Sequence, residues 1–191
     1  NSQNLGLQKT LNRALDAASG RYFARIDDDD LWTDEDKISH QVAALEKDSR
    51  LAAVGTAYID EDGAQITNPV SDGKIRKQML FRCPFCHSTM VVRSESAHRL
   101  GGYDETLPYA EDWDLWCRLG RDFRLANLPD VTVRRGQPGE TMSSTYQIEK
   151  LHLASMLARK YRDDYPGWHL ARLYHATSAA LLGSRLRGSV F

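Results

Sequence analysis

The sequence predicts an α/β fold: a mostly parallel sheet flanked by helices, with a C-terminal helical extension. Three observations predict it. Segments with helical spacing alternate with short apolar segments through the first two thirds of the chain. The apolar segment 22–26 runs straight into four aspartates, Asp27, Asp28, Asp29 and Asp30, and open α/β sheets bind ligands at the carboxyl ends of their strands. Beyond residue 146 the strand signals stop and only helical spacing remains.

The elements follow in order. Leu5, Leu7, Leu11, Ala14, Leu15 and Ala18 recur at helical spacing, and Gly20 closes that segment. Residues 22–26 read as a short buried strand. Asp34 opens a second helix with Ile38, Val42 and Leu45 on one face. Residues 51–59 form the next strand, and Asp60-Glu61-Asp62-Gly63 turns it back into a short strand at 65–67. A short helix is expected at 74–81, a strand at 88–92, and a helix at 94–100 stopped by Gly101-Gly102. Residues 112–119 are helical, 123–126 and 131–134 are two short strands, and 136–144 is a polar loop. Two helices, 147–161 and 168–186, flank Pro166-Gly167. This divides the chain into residues 1–142 and a helical extension of residues 143–191.

The bulk numbers narrow the function. With 191 residues the chain can bury a real core. A net charge of −1 gives no support for nucleic-acid binding. No apolar run approaches the ~20 residues that span a bilayer, and no basic-then-apolar leader follows Asn1. Three sparse cysteines fit a reducing cytosol better than a disulfide framework. Apolar and basic residues alternate in the last two helices, so docking at the inner face of a membrane stands beside packing on the sheet.

The aspartate run carries the chemistry. Two carboxylates ~4 Å apart repel by roughly 4 kcal/mol at an effective dielectric of ~20. A hard divalent cation, Mn²⁺ or Mg²⁺, turns that repulsion into attraction and leaves positions for phosphate oxygens. The competing reading is a solvated acidic turn that caps the next helix through Thr33 or Asp34. Cys83-Pro84-Phe85-Cys86-His87 fits a short haem-attachment or thiol-metal pattern. No export signal accompanies it, and a structural zinc wants four ligands, so buried thiols without a cofactor are the expectation.

Three segments taken together resemble a known family. They are Asn4-Leu5-Gly6 with Asn12, running on to Gly20-Arg21-Tyr22-Phe23 and the aspartates; Pro84 with residues 87–93; and Gly101-Gly102-Tyr103-Asp104-Glu105 followed by residues 111–119. In order and spacing, through about residue 135, they resemble family-2 glycosyltransferases of the GT-A (Rossmann-like) fold.

The resemblance implies that Asp29 ligates Mn²⁺ or Mg²⁺ and that Asp27 contacts the ribose or helps hold the metal. It implies that Asp112 is the general base at the acceptor, with Glu111 beside it. Asn4 and Asn12 match positions near the nucleotide, and Arg134 or Arg135 a position against the diphosphate. The histidine usual near that arginine is absent; Gly136 and Gln137 follow instead. Each residue has a local alternative. Asp112 could serve only the helix dipole, worth ~0.3–1 kcal/mol; Asn4 and Asn12 could cap or turn; His87 could be a satisfied structural histidine. Asp30 is expected to brace the loop, and Asp114 to face solvent or pair with Arg118.

The activity implied is inverting transfer from a nucleotide diphosphate sugar to a glycan or lipid-linked acceptor. The alternatives are a nucleotidyl- or phosphotransferase, and a non-catalytic sugar- or partner-binding module. Family members begin with a strand, helix and second strand for which nothing here corresponds. The strand before Asp27 is therefore expected at a sheet edge, and residues 1–191 are expected to be a poor catalyst alone.

Overall fold

The computed structural model describes residues 4–136 and 147–188, with side chains described for 4–136 and 150–181. In chain order the elements are α1 (Leu7–Ala17), β1 (Tyr22–Ala24), β2 (Leu31–Trp32), α2 (Lys37–Lys47), β3 (Leu51–Ile59), β4 (Gln65–Ile66), α3 (Asp72–Gln78), β5 (Val91–Arg93), α4 (Ser94–Arg99), α5 (Glu111–Asp122), β6 (Arg124–Arg134), α6 (Gln147–Lys160) and α7 (Trp168–Gly188). A single 3₁₀ turn, His87–Thr89, leads into β5.

The strands form one sheet in the order β1-β5-β3-β6-β2, with β4 paired to β3. β1 stands at its edge, as expected. The sheet is mixed rather than mostly parallel. β3 and β6 pair in parallel, while β1–β5, β3–β5, β2–β6 and β3–β4 pair antiparallel. β3, β5 and the inward face of β6 are buried, and a buried apolar segment reads alike whichever way it runs. Direction came from the connections instead. The 3₁₀ turn, closed by Thr89 N–H donating to the Cys86 carbonyl at 3.0 Å, returns the chain antiparallel between β1 and β3.

Residues 123–126 and 131–134 belong to one strand, β6, rather than two. Its register against β3 slips between Gly55↔Asn127 and Ala57↔Val131. The slip takes up Leu128, Pro129 and Asp130, so Pro129, which has no N–H to give, costs no ladder bond. The pair Leu31–Trp32, which no pattern announced, closes the far edge against Val133 and Arg134.

The last helices share the core. Leu153, Leu157, Tyr161, Tyr165 and Ala171 belong to the same apolar cluster as Ala53, Val92, Leu115 and Trp116. The boundary at 142/143 and the loop beyond Gly136 lie outside the described residues. Close approach holds this seam: a Cβ on Gly120 would collide with the Tyr165 hydroxyl, which donates to the Cys117 carbonyl at 2.7 Å. Asp114 neither faces solvent nor pairs with Arg118 alone. It is fully buried and accepts from Arg118 Nε (2.7 Å), Lys160 Nζ (2.7 Å) and the Tyr161 hydroxyl (2.6 Å). The spacing of 114 and 118 showed the first partner; the other two arrive from α6.

Candidate active site

The aspartates follow β1, and Ser88 and Arg25 fix the first of them. The Asp27 N–H donates to Ser88 Oγ at 3.0 Å, and the Ser88 hydroxyl donates to Asp27 Oδ2 at 3.3 Å. Asp27 Oδ1 is ion-paired with the Arg25 guanidinium. Burial pushes the Asp27 carboxyl above the usual carboxylate range, and Arg25 opposes that push. Asp30 braces the loop: its N–H donates to the Asp27 carbonyl, and its Oδ1 accepts the Gly136 N–H at 3.1 Å. Asp28 and Asp29 are exposed.

Arg25 is the cation that sequence reasoning missed. Its Nη1 lies 2.6 Å from His87 Nδ1, so Nδ1 accepts and Nε2–H donates to the Tyr103 hydroxyl at 2.9 Å. Burial, and then Arg25, push the His87 imidazole well below its ordinary value. His87 is thus a neutral, edge-on neighbour of Trp116, ring centroids 5.7 Å apart. The arginine was visible two residues before Asp27, but nothing in its spacing named a partner 62 residues away.

The acid pair starts α5. Ala110, at φ 58° and ψ 31°, is the one non-glycine among the described residues with positive φ. That left-handed turn costs roughly 1–2 kcal/mol and sets Glu111 and Asp112 at the start of α5. Asp112 Oδ1 accepts the Trp113 N–H at 2.7 Å, and burial raises its pKa. Glu111 is buried, and burial together with the Asp112 charge pushes it to about 7. Arg25 lowers both and Asp27 raises both. Asp27, Arg25, Glu111 and Asp112 therefore share one electrostatic neighbourhood.

Glu111 has a consequence for stability. Its folded-state pKa lies above the unfolded one, so the folded state keeps the proton longer. The contribution of Glu111 to stability falls as pH rises from about 4.5 to about 7 and is level above that. Glu111→Gln should therefore stabilise the fold at pH 8 by up to about 3 kcal/mol and change it little at pH 4. Urea unfolding at the two pH values reads this directly.

The other sequence candidates divide. Asn12 is spent on the protein: its Nδ2 donates to the Tyr103 carbonyl (2.9 Å) and to Glu105 Oε1 (3.0 Å), and its Oδ1 accepts the Tyr103 N–H (2.8 Å). It clasps the Gly101-Gly102 turn. Asn4 Oδ1 accepts the Gly6 N–H at 3.0 Å in an exposed turn. Arg134 is exposed and opposite Leu31 in the ladder. Arg135 is the half-buried one of the two. It donates to Glu61 at 3.0 Å and has Cys86 and Asp30 among its electrostatic neighbours. Burial pushes the Cys86 thiol up to about 12 and Cys83 well above its ordinary value, so both are protonated, inert thiols.

Among the described residues no group of three side chains is arranged to hold a metal. Mg²⁺-like ions at phosphates take one or two protein carboxylates, with substrate oxygens completing the shell. The aspartate loop fits that demand. Asp27 is engaged by Arg25 and Ser88, and Asp29 presents an exposed carboxylate two residues on.

The sequence profile of glycosyl transferase family 2 matches residues 1–101. The chain belongs to that family. A glycosyltransferase of Haemophilus influenzae is 32% identical over 180 residues, 84% of this chain and 54% of its own length. The amylovoran biosynthesis glycosyltransferase AmsE of Erwinia amylovora is 33% identical, over 69% of this chain and 51% of its own. This family member thus spans about half the length of these relatives. Its fold resembles that of the mannosyltransferase PcManGT from Pyrobaculum calidifontis, solved with GDP-Man and Mn²⁺. The TM-score is 0.64 at 20% identity, covering 100% of this chain and 61% of that one. Staphylococcus aureus TarS gives 0.57 at 17% identity, over 81% and 45%.

Proposed function

We propose that the chain carries the metal edge and the acceptor side of an inverting glycosyltransferase that uses a nucleotide diphosphate sugar. The observation behind this reading is the Arg25–Asp27 ion pair, whose two charges both act on the Glu111–Asp112 pair. Asp112 takes the proton from an acceptor hydroxyl. That oxygen attacks the anomeric carbon from the face opposite the diphosphate. The carbon–oxygen bond to the diphosphate breaks, its electron pair leaves with the nucleoside diphosphate, and the anomeric centre inverts. Mn²⁺ or Mg²⁺, held by Asp29 with Asp27 behind it, would neutralise the charge growing on that leaving group. Arg135 serves the diphosphate rather than Arg134. His87 and Tyr103 hold Arg25 in place.

AmsE is named for polysaccharide biosynthesis, and a glycan or lipid-linked acceptor in such a pathway is the matching role. Among the described residues no helix is long and apolar enough to cross a membrane. We place the reaction in the cytosol, with a peripheral encounter with the membrane where the acceptor is lipid-borne.

Calorimetric titration of UDP and GDP with and without Mn²⁺ tests the reading. Metal-dependent binding should weaken at least ~10-fold in Asp29→Ala and persist in Asp112→Ala. Diphosphate binding without metal dependence would favour another transferase chemistry. No binding of either nucleotide would favour a non-catalytic module.

A further inference from the structure

The proposed reaction gives no part to Lys37, a lysine only 1% exposed at the start of α2. Two influences oppose an ammonium there. Burial pushes it down to about 8, with Cys86 and Asp34 pulling the other way, and a helix N-terminus disfavours a cation. Three contacts favour it. Nζ donates to Gln41 Oε1 at 2.9 Å and to the Thr89 carbonyl at 3.1 Å. It also lies over the Trp32 ring, 4.5 Å from the centroid.

Gln41 and Trp32 aim at the same place. Gln41 is fully buried, and its Nε2 donates to the Thr89 carbonyl at 2.8 Å and to the Val54 carbonyl at 2.6 Å. Its Oε1 accepts from Lys37, which fixes the orientation of the amide. Trp32 Nε1–H donates to the Ser88 carbonyl at 3.0 Å. Donors from β2 and α2 therefore converge on two successive carbonyls of the His87–Thr89 turn. The turn has its own closure: the Thr89 hydroxyl and N–H both donate to the Cys86 carbonyl, at 2.7 and 3.0 Å. What the outside donors add is its place against α2 and β3.

The side chains of the same turn hold Asp27. The Ser88 hydroxyl donates to Asp27 Oδ2 and accepts the Asp27 N–H. His87 Nδ1 accepts from Arg25 Nη1, and Arg25 is paired with Asp27 Oδ1. Both carboxylate oxygens of Asp27 are thus held from residues 87 and 88, one directly and one through Arg25.

We propose that Lys37 is a positioning residue for Asp27. With Gln41 and Trp32, its ammonium anchors the carbonyl side of the turn, and the anchored turn sets the carboxylate that stands behind Asp29 at the metal edge. Lys37 itself touches neither nucleotide nor metal. The consequence for the metal rests on the transferase reading; the anchoring is a property of the free chain.

Hydrogen exchange by NMR on the ligand-free 191-residue chain tests the anchoring. In folded Lys37→Met, the Trp32 indole N–H and the Asp27 amide should exchange at least ~10-fold faster, because both donate to Ser88. The Trp113 indole N–H, which donates to the Met79 carbonyl at 2.9 Å, should keep its rate. Calorimetry tests the consequence, with whichever of UDP and GDP the unaltered chain binds. Its Mn²⁺-dependent affinity should fall about fivefold, the worth of one lost hydrogen bond. Ser88→Ala should show a similar loss. The double variant should lose less than the two losses multiplied, as residues of one network do.

Unchanged exchange at Trp32 and Asp27 overturns the proposal. So does faster exchange at Trp113 as well, which marks a general loss of stability. Undiminished Mn²⁺-dependent binding overturns it too, as do losses that simply multiply in the double variant. If Lys37→Met does not fold, by circular dichroism, Trp32→Phe reads the same anchor: the ring stays beside the ammonium and the donor to Ser88 goes. The Asp27 amide should again exchange faster, and an unchanged rate overturns the proposal. If the unaltered chain binds neither nucleotide with Mn²⁺, the transferase reading fails, and the exchange rates alone decide whether Lys37 positions Asp27.

Discussion

Asp112→Asn should lower kcat by about 10²–10⁴-fold, the contribution of a positioned general base, while Mn²⁺-dependent nucleotide affinity stays within about twofold. The asparagine keeps the shape and can still accept the Trp113 N–H, so α5 should start as before. What disappears is a group able to take the acceptor proton. The pH profile carries a second signature. Glu111 is held to about 7 partly by the negative charge on Asp112, which requires Asp112 to ionise first. Two adjacent carboxyls that interact this way lose their protons in two steps belonging to the pair. In the unaltered protein activity should rise with pH as Asp112 ionises, above the ordinary carboxylate range because burial raises it. In Asp112→Asn that limb should vanish. Steady-state kinetics across pH 4–9, paired with nucleotide titration, separates the outcomes. An Asn variant with undiminished kcat would remove Asp112 from the chemistry. One that also lost nucleotide binding would show a structural rather than a chemical role.

The sequence carried what local chemistry dictates. Four adjacent aspartates after an apolar segment can follow a strand, and β1 does end three residues before Asp27. Glu111 and Asp112 before Trp113, Trp116 and Leu119 mark the start of an amphipathic helix, and α5 begins at Glu111. Contacts that close over long stretches of chain were not readable in this way. Arg25 reaches His87 across 62 residues, and Asn12 reaches Tyr103 across 91. A side chain's spacing along its own element says which face it takes, not which distant backbone will meet it. Asn12 shows the consequence. Its position pointed to nucleotide, yet its amide is consumed by the Gly102–Tyr103 turn. The choice between Arg134 and Arg135 stayed open in the sequence for the same kind of reason. Strand alternation says that the two point apart, but only the pairing of β6 with β2 and the position of Glu61 say which partner each one meets. Sheet direction was hidden too, because burial on both faces is the same signal in parallel and antiparallel strands.

The most damaging substitution outside the cleft should be Asp114→Ala. Asp114 is a fully buried carboxylate holding Arg118 from its own helix, Lys160 from the end of α6 and Tyr161 just beyond it. Breaking a buried ion pair from one side costs about 3–5 kcal/mol, because the remaining partners stay desolvated without their counter-charge. Arg118 is partly cushioned, since it also donates to the carbonyls of Leu100 (3.0 Å) and Gly102 (2.7 Å). The buried Tyr161 hydroxyl has no such second partner among its contacts and would be stranded. Urea unfolding should show the full loss, and the melting temperature should drop by roughly 10 °C for a chain of this size. Lys160→Gln should cost less than about 1 kcal/mol, because that side chain is 42% exposed and solvent already screens it. Salt should barely change the Asp114→Ala penalty, since a group with no exposed surface is little screened. The damage should stay local. Lys160 ends α6 and Tyr161 follows it. A folded Asp114→Ala chain should therefore keep its nucleotide affinity, because Asp27 and Asp29 follow β1, which is paired with β5.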